Sequence, residues 1–193
     1  MFSLTSLLIG LPIILITITV HEFAHAKVAD VLGDPTPRQA GRLTLNPISH
    51  IDPIGFIMLI LVRFGWAKPV PINPYNFRDP RKGTIYVSLA GPLSNFFFAW
   101  VVAIVYKTLP FDYPLLNTIL SYTIWINLAL GVFNLIPIPP LDGSKILEGV
   151  LPYQYLESFY RMQQYSFLIL IMIVMFGSSI LFGIIDFLYR LIV

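Results

Sequence analysis

Two histidines and a glutamate, in the pentad His21-Glu22-Phe23-Ala24-His25, close a run that is otherwise apolar. The preceding stretch, Leu7 to Val20, reads LLIGLPIILITITV and carries no charge. On a helix turning by about 100° per residue, His21 and His25 stand roughly 40° apart, so both rings can reach one cation. Glu22 stands about 60° beyond His25 on the side away from His21, beside such a cation without capping it. A carboxylate there can take a proton from water activated by the metal. H-E-x-x-H on a helix is a signature of zinc-dependent peptide hydrolysis. Imidazoles and a carboxylate at lipid depth are costly and need a functional partner or a water-filled cavity. Together these features point to peptide-bond hydrolysis within the membrane. An accidental HExxH on an ordinary helix would leave three polar groups in lipid without explanation.

Catalytic zinc usually takes three protein ligands and a water. The chain has no cysteine, which excludes disulfides and thiolate ligands, and its one further histidine is His50. The acidic candidates are Asp52, Asp142, Glu148 and Asp186. Asp142 stands out because it follows Asn134-Leu135-Ile136-Pro137-Ile138-Pro139-Pro140-Leu141. Three prolines break a helix, and non-helical backbone at membrane depth is tolerated only inside protein or beside a cavity. Such a loop can fold back and present a carboxylate, with Gly143 permitting an unusual backbone at the turn. The competing reading makes Asp142 the cap of a following short helix, SKILEGVL. The ligand reading is preferred because no other third donor is equally well placed. His50 is read as a loop histidine bonded to Asp52 or to backbone; support of a ligand, proton relay and alternative ligand are its competing roles.

The elements that must position these groups are membrane spans. Of 193 residues, 56% are hydrophobic and 11% charged, against about 25% charged in a soluble domain; the mean hydropathy is +0.78. The sequence predicts an all-α polytopic membrane protein. Four stretches of roughly 20 apolar residues are long enough to span: Leu4 to Ala29, Thr84 to Val105, Leu115 to Ile136 and Ser166 to Leu188. The last contains Gly177-Ser178-Ser179, a kink or a division into two pieces. Pro53 to Leu61 is too short to span and is read as a re-entrant or buried helix. The start, MFSLTSLL, lacks a basic region, and cleavage of the first span as a signal peptide would discard the pentad. GRLTLNP (41–47) and AKPVPINP (67–74) are expected to form two short β-strands in the first cytoplasmic loop, with proline-rich loop as the alternative. No repeat or linker divides the chain, so residues 1–193 are read as one domain.

Eight of the twelve Lys and Arg fall between Lys27 and Lys82, Arg38, Arg42, Arg63 and Lys68 among them. The positive-inside rule places that region in the cytoplasm of a multi-pass protein of the cell membrane. The N-terminus, the loop near Asp112 and the C-terminus then lie outside. His21 lies about 25 Å along the first span, near the cytoplasmic face of an approximately 30 Å core, where water can arrive. The basic loop is explained by topology rather than by nucleic-acid binding.

HEFAH, GRLTLNPISHIDPIG, FGWAKPVPINP, AGPLSNF and FNLIPIPPLDGSKIL follow one another over most of residues 15 to 150. In order and in the pairing of HExxH with a distant LDG, the chain resembles the site-2 protease family of intramembrane zinc metalloproteases (peptidase family M50). It is most similar to the short prokaryotic branch without a PDZ or CBS domain. The resemblance implies one zinc bound by His21, His25 and Asp142, with Glu22 as the base. It also implies that Asn134 assists the oxyanion or the substrate; the competing role is that of a helix-ending amide or an interhelical hydrogen bond. Asn95, in Gly91-Pro92-Leu93-Ser94-Asn95, is read as a packing residue.

The function expected is zinc-dependent cleavage of a transmembrane segment of another protein. The substrate must unwind locally, and the two strand-like segments are expected to pair with it. The alternatives are a membrane metal transporter, which predicts an internal repeat that is absent, and a non-catalytic membrane protein that binds client helices, which would not need every catalytic residue. Oligomeric state is not legible.

Overall fold

The computed structural model describes residues 4–62, 65–110 and 113–193; Arg63 and Asp112, used above for orientation, lie outside the described residues. The protein is all-α. Its helices are α1 (Leu4–Val31), α2 (Thr36–Gln39), α3 (Pro53–Val62), α4 (Pro80–Thr108), α5 (Pro114–Asn134), α6 (Asp142–Val150), α7 (Tyr153–Gln163), α8 (Ser166–Phe176) and α9 (Ser178–Ile192). Helices α1, α4 and α5 are long and apolar enough to cross a membrane; a fourth span exists if α7 and α8, bent by 75°, are taken as one. The expected fourth span is broken at Gly177, which ends α8 with its N–H on the Ile173 carbonyl at 2.7 Å. The 11 residues of α8 and the 15 of α9 rise about 17 and 23 Å, each short of an approximately 30 Å core. The short apolar stretch forms the helix α3, but Ile54, Ile57 and Leu61 on it are exposed rather than buried in protein.

The chain divides into two compact units, residues 1–91 and 92–193. In the first, α1 ends in a turn that its glycine dictates. Gly33 adopts φ 101°, a conformation open to a residue without a Cβ. The Asp34 N–H reaches the Ala29 carbonyl and the Gly33 N–H that of Asp30, the paired bonds of a Schellman ending. Ala29, Phe77 and Val87 form the unit's core, with Val28, Leu32 and Ile72 packed around them. Asp34 is wholly buried. It accepts from the Thr36 N–H (3.1 Å) and hydroxyl (2.5 Å), the Asn73 N–H (2.8 Å) and the Asn76 amide (2.7 Å). The end of α1 is thereby tied to the segment 67–73, the strap, which precedes α4.

The two expected β-strands do not form among the described residues. One isolated antiparallel bridge pairs Ile51 with Ala67, and residues 47–50 are a 3-10 turn. Proline explains the difference. Pro69 and Pro71 remove alternate donors from the strap, and Pro47 favours the turn that Asn46 opens by accepting from the Ile48 N–H at 3.1 Å. The pairing of these segments with substrate therefore loses its structural basis.

In the second unit, Ala99, Val102 and Ala103 of α4 meet Ile124 and Leu128 of α5 and Ile185 of α9. Small residues let the backbones approach closely; a Cβ on Gly131 would lie 2.6 Å from the Phe96 ring. Asn95 donates to Asn127 at 3.1 Å, both wholly buried, and Asn127 donates to the Thr123 carbonyl at 2.9 Å. Asn95 is thus a packing residue that joins two helices. Along α8, the exposed Phe167, Leu168, Met172, Met175 and Phe176 form a surface suited to lipid.

Burial pushes the Asp34 carboxyl up, but its bonds from Thr36, Asn73 and Asn76 outweigh that and hold it below its usual value. A carboxyl that titrates lower when folded stabilises fully above its unfolded value, about pH 4, and this contribution fades as pH falls through the folded value. We expect Asp34→Asn, which turns an amide toward these donors, to cost about 2 kcal/mol at neutral pH, read as a lower thermal midpoint in detergent. The deficit relative to the unsubstituted chain should shrink in acid below pH 4.

Candidate metal and catalytic site

The continuous helix α1 carries the pentad, with His21 and His25 one turn apart and each 5% exposed. Their Nε2 atoms approach to 3.0 Å, and the rings meet edge-on with centroids 4.6 Å apart. The other ring nitrogen of His25, Nδ1, lies 2.7 Å from the Val87 carbonyl of α4. A carbonyl can only accept, so Nδ1 carries the proton and Nε2 presents a lone pair. That is how a metal-binding histidine is usually held, its far N–H on an acceptor and its ring orientation fixed.

Gly91, one turn further along α4, gives these rings their room. A Cβ built on it would collide with His25 Nε2 and lie 2.6 Å from His21 Nε2 and Cε1. The space that a methyl would fill lies against both Nε2 atoms. Two imidazoles, with a carboxylate as a further ligand, are a donor set that suits zinc.

Glu22 is half-buried, and its Oε2 accepts from the Val70 N–H of the strap at 3.1 Å. The bond leaves the other oxygen, Oε1, to take a proton. Nothing in the sequence suggested that the strap would hold this carboxylate.

Within the second unit, Asp142 is the first residue of α6 and is buried, at 8% exposure. The cap of α6 is Leu141, with no side-chain capping bond. The Ser144 hydroxyl donates to the Leu141 carbonyl at 2.7 Å. Gly143 acts differently from expectation. Its φ is not positive, since Gly33 and Gly41 are the positive-φ glycines. A Cβ there would strike the Leu135 and Ile136 carbonyls. Gly143 is needed so that the proline-rich turn can fold back against its own start. Asn134 ends α5, and its amide donates to the Leu130 carbonyl at 3.0 Å.

The other acids are engaged elsewhere or point outward. Asp52 accepts from the Gly55 N–H at 2.8 Å and starts α3. Glu148 accepts from the Tyr160 hydroxyl at 2.6 Å. Asp186 is exposed on α9. His50, almost wholly buried, donates from Nε2 to the Thr44 carbonyl at 2.8 Å, which is the expected backbone partner; Asp52 is not its partner.

Comparison with known proteins agrees with the site chemistry. The profile of Peptidase family M50 matches residues 113–177. The chain is 38% identical over 169 residues to the Bacillus subtilis protein named "Putative zinc metalloprotease YwhC", covering 83% of this chain and 77% of that protein. It is 30% identical over 167 residues to "Putative zinc metalloprotease Rip2" of Mycolicibacterium smegmatis, covering 82% of this chain and 63% of the relative. Its identity to "Zinc metalloprotease MJ0392" of Methanocaldococcus jannaschii is 29% over 151 residues, 76% of this chain and 36% of the relative. No solved structure matches the chain.

A methyl forced into the space between the two rings should displace them. We expect Gly91→Ala to weaken zinc binding roughly 10- to 100-fold, the cost of overfilling a packed site, measured by competition with a zinc chelator on the purified protein. An unchanged affinity would mean that the rings meet the metal elsewhere.

Proposed function

Because the chain belongs to peptidase family M50, the site-2 protease family of zinc metalloproteases, we propose that it cuts peptide bonds in or near a transmembrane segment of another membrane protein. The chain is a multi-pass membrane protein and a protease that uses one zinc. On this proposal the whole of residues 1–193 works as one intramembrane domain of the cell membrane, with its active site near the cytoplasmic side.

In this reading His21, His25 and Asp142 hold the zinc. The metal, when bound, polarises the scissile carbonyl and makes water a better nucleophile. The His25 N–H on the Val87 carbonyl keeps that ring in the tautomer that can bind. Glu22 accepts the proton of the attacking water on its free oxygen and returns it to the leaving amine nitrogen. The Asn134 amide supports the negative charge developing on the carbonyl oxygen. For that role Asn134 must turn from the Leu130 carbonyl or use its second N–H. A helical substrate hides its peptide bonds, so it has to be extended locally before attack.

The observation that carries this reading is the conjunction in α1: two imidazoles one turn apart, one in a fixed tautomer, beside a carboxylate held at one oxygen only. A transporter would use the same ligands but would not depend on a proton acceptor next to them. We expect Glu22→Gln to retain one zinc per chain and to lose proteolysis by at least about 100-fold. The measurement is metal content on purified protein, with membrane proteomes of cells expressing either form. Uncut single-span proteins should accumulate with the variant. Equal cleavage by both forms would remove Glu22 from the mechanism.

A further inference from the structure

Arg42 looks in the sequence like one more cation of a cytoplasmic loop. Such a residue should reach into water, yet Arg42 is 4% exposed. Burial pushes its guanidinium below the usual value, and the nearby Glu22 carboxylate pulls it back up. Its terminal nitrogen donates to the Lys68 carbonyl of the strap and makes a long contact, 3.5 Å, with His50 Nδ1. His50 has given its other nitrogen to the Thr44 carbonyl, so Nδ1 is the unprotonated atom and can accept. The Arg42 Nε is buried with no bond partner. A desolvated cation with neutral acceptors and an orphaned N–H is a costly arrangement. Simple packing would be served better by an apolar side chain.

The strap explains what the cost supports. Lys68 is fastened at both backbone groups, its N–H to the His50 carbonyl at 3.0 Å and its C=O to Arg42. Two residues on, the Val70 N–H reaches Glu22. Three residues further, the Asn73 N–H is fixed by Asp34. Pro69 and Pro71 allow little freedom between these points.

We propose that Arg42 is a positioning residue for the base: with His50 it buckles the strap at Lys68, so that the Val70 N–H holds one oxygen of Glu22 and aims the other. The inference rests on the role given to Glu22 above. It also gives His50 a function outside the metal ligand set.

The test uses the full chain in liposomes, loaded with zinc. Its first measurement is amide hydrogen exchange of the segment 67–73, which needs no substrate. In Arg42→Gln, exchange at Val70 should quicken at least about tenfold while zinc stays at one per chain. The second is cleavage of a lysine-flanked Leu/Ala single-span peptide carrying a fluorophore and a quencher. There kcat should fall about 100-fold with KM unchanged, as misplacement of a catalytic group predicts, and Arg42→Lys should recover part of the loss. Wild-type exchange at Val70 in Arg42→Gln overturns the proposal. If Arg42→Gln fails to fold, Val70→Pro decides, because it removes the N–H that Glu22 accepts from, and zinc content reports whether the restricted backbone and the lost valine side chain have disturbed the site. Loss of kcat at full zinc content supports the proposal, and wild-type kcat overturns it. Glu22→Gln is the control. Should it cleave the peptide normally, the role of the base has failed, and the exchange measurement alone decides whether Arg42 buckles the strap.

Discussion

The His25 N–H on the Val87 carbonyl is the bond on which the arrangement of the two rings depends. A buried imidazole has two nitrogens to satisfy. Giving one to a helix carbonyl settles the tautomer, the ring plane and the direction of the remaining lone pair at once. Val87 offers its carbonyl from α4, a helix that also brings Gly91 against both rings. The two helices must approach closely for this, and Ala29 and Val87 are buried in the core that holds them together. Core packing and ring orientation are therefore one constraint at this point of the fold.

The geometry of the pentad is legible because it is local. The ring spacing of His21 and His25, the adjacent Glu22 and the lengths of α1, α4 and α5 all follow from residue order along a helix. Asp142 is singled out by elimination among a small number of acids, and the structure finds it buried at the first position of α6. What escaped was long-range. Arg42 reads as a topology marker, and only burial shows that it is something else. The Val70 N–H carries no side-chain signature at all. Gly143 was expected to permit an unusual φ, and it instead permits close approach to two carbonyls. Single glycines do not announce which of these roles they serve.

The strap reads as a strand in the sequence for a related reason. Val70 and Ile72 have strand-forming side chains, and the flanking Gly and Asn look like strand boundaries. Strand formation also needs backbone donors to offer, and proline removes them. The sequence shows both facts, but their balance depends on what the remaining N–H groups find. Here they find an aspartate, a glutamate and a histidine carbonyl rather than a neighbouring strand.

That arrangement has a consequence for how the protein behaves among its own copies. An exposed extended segment normally invites another chain to add to it. Between Lys68 and Val70 the hydrogen-bonding edge is spent internally, and the prolines at 69 and 71 present no N–H on the other. The segment can thus lie in the open without seeding sheet growth, so the bonds that steady the carboxylate also keep the surface from becoming sticky.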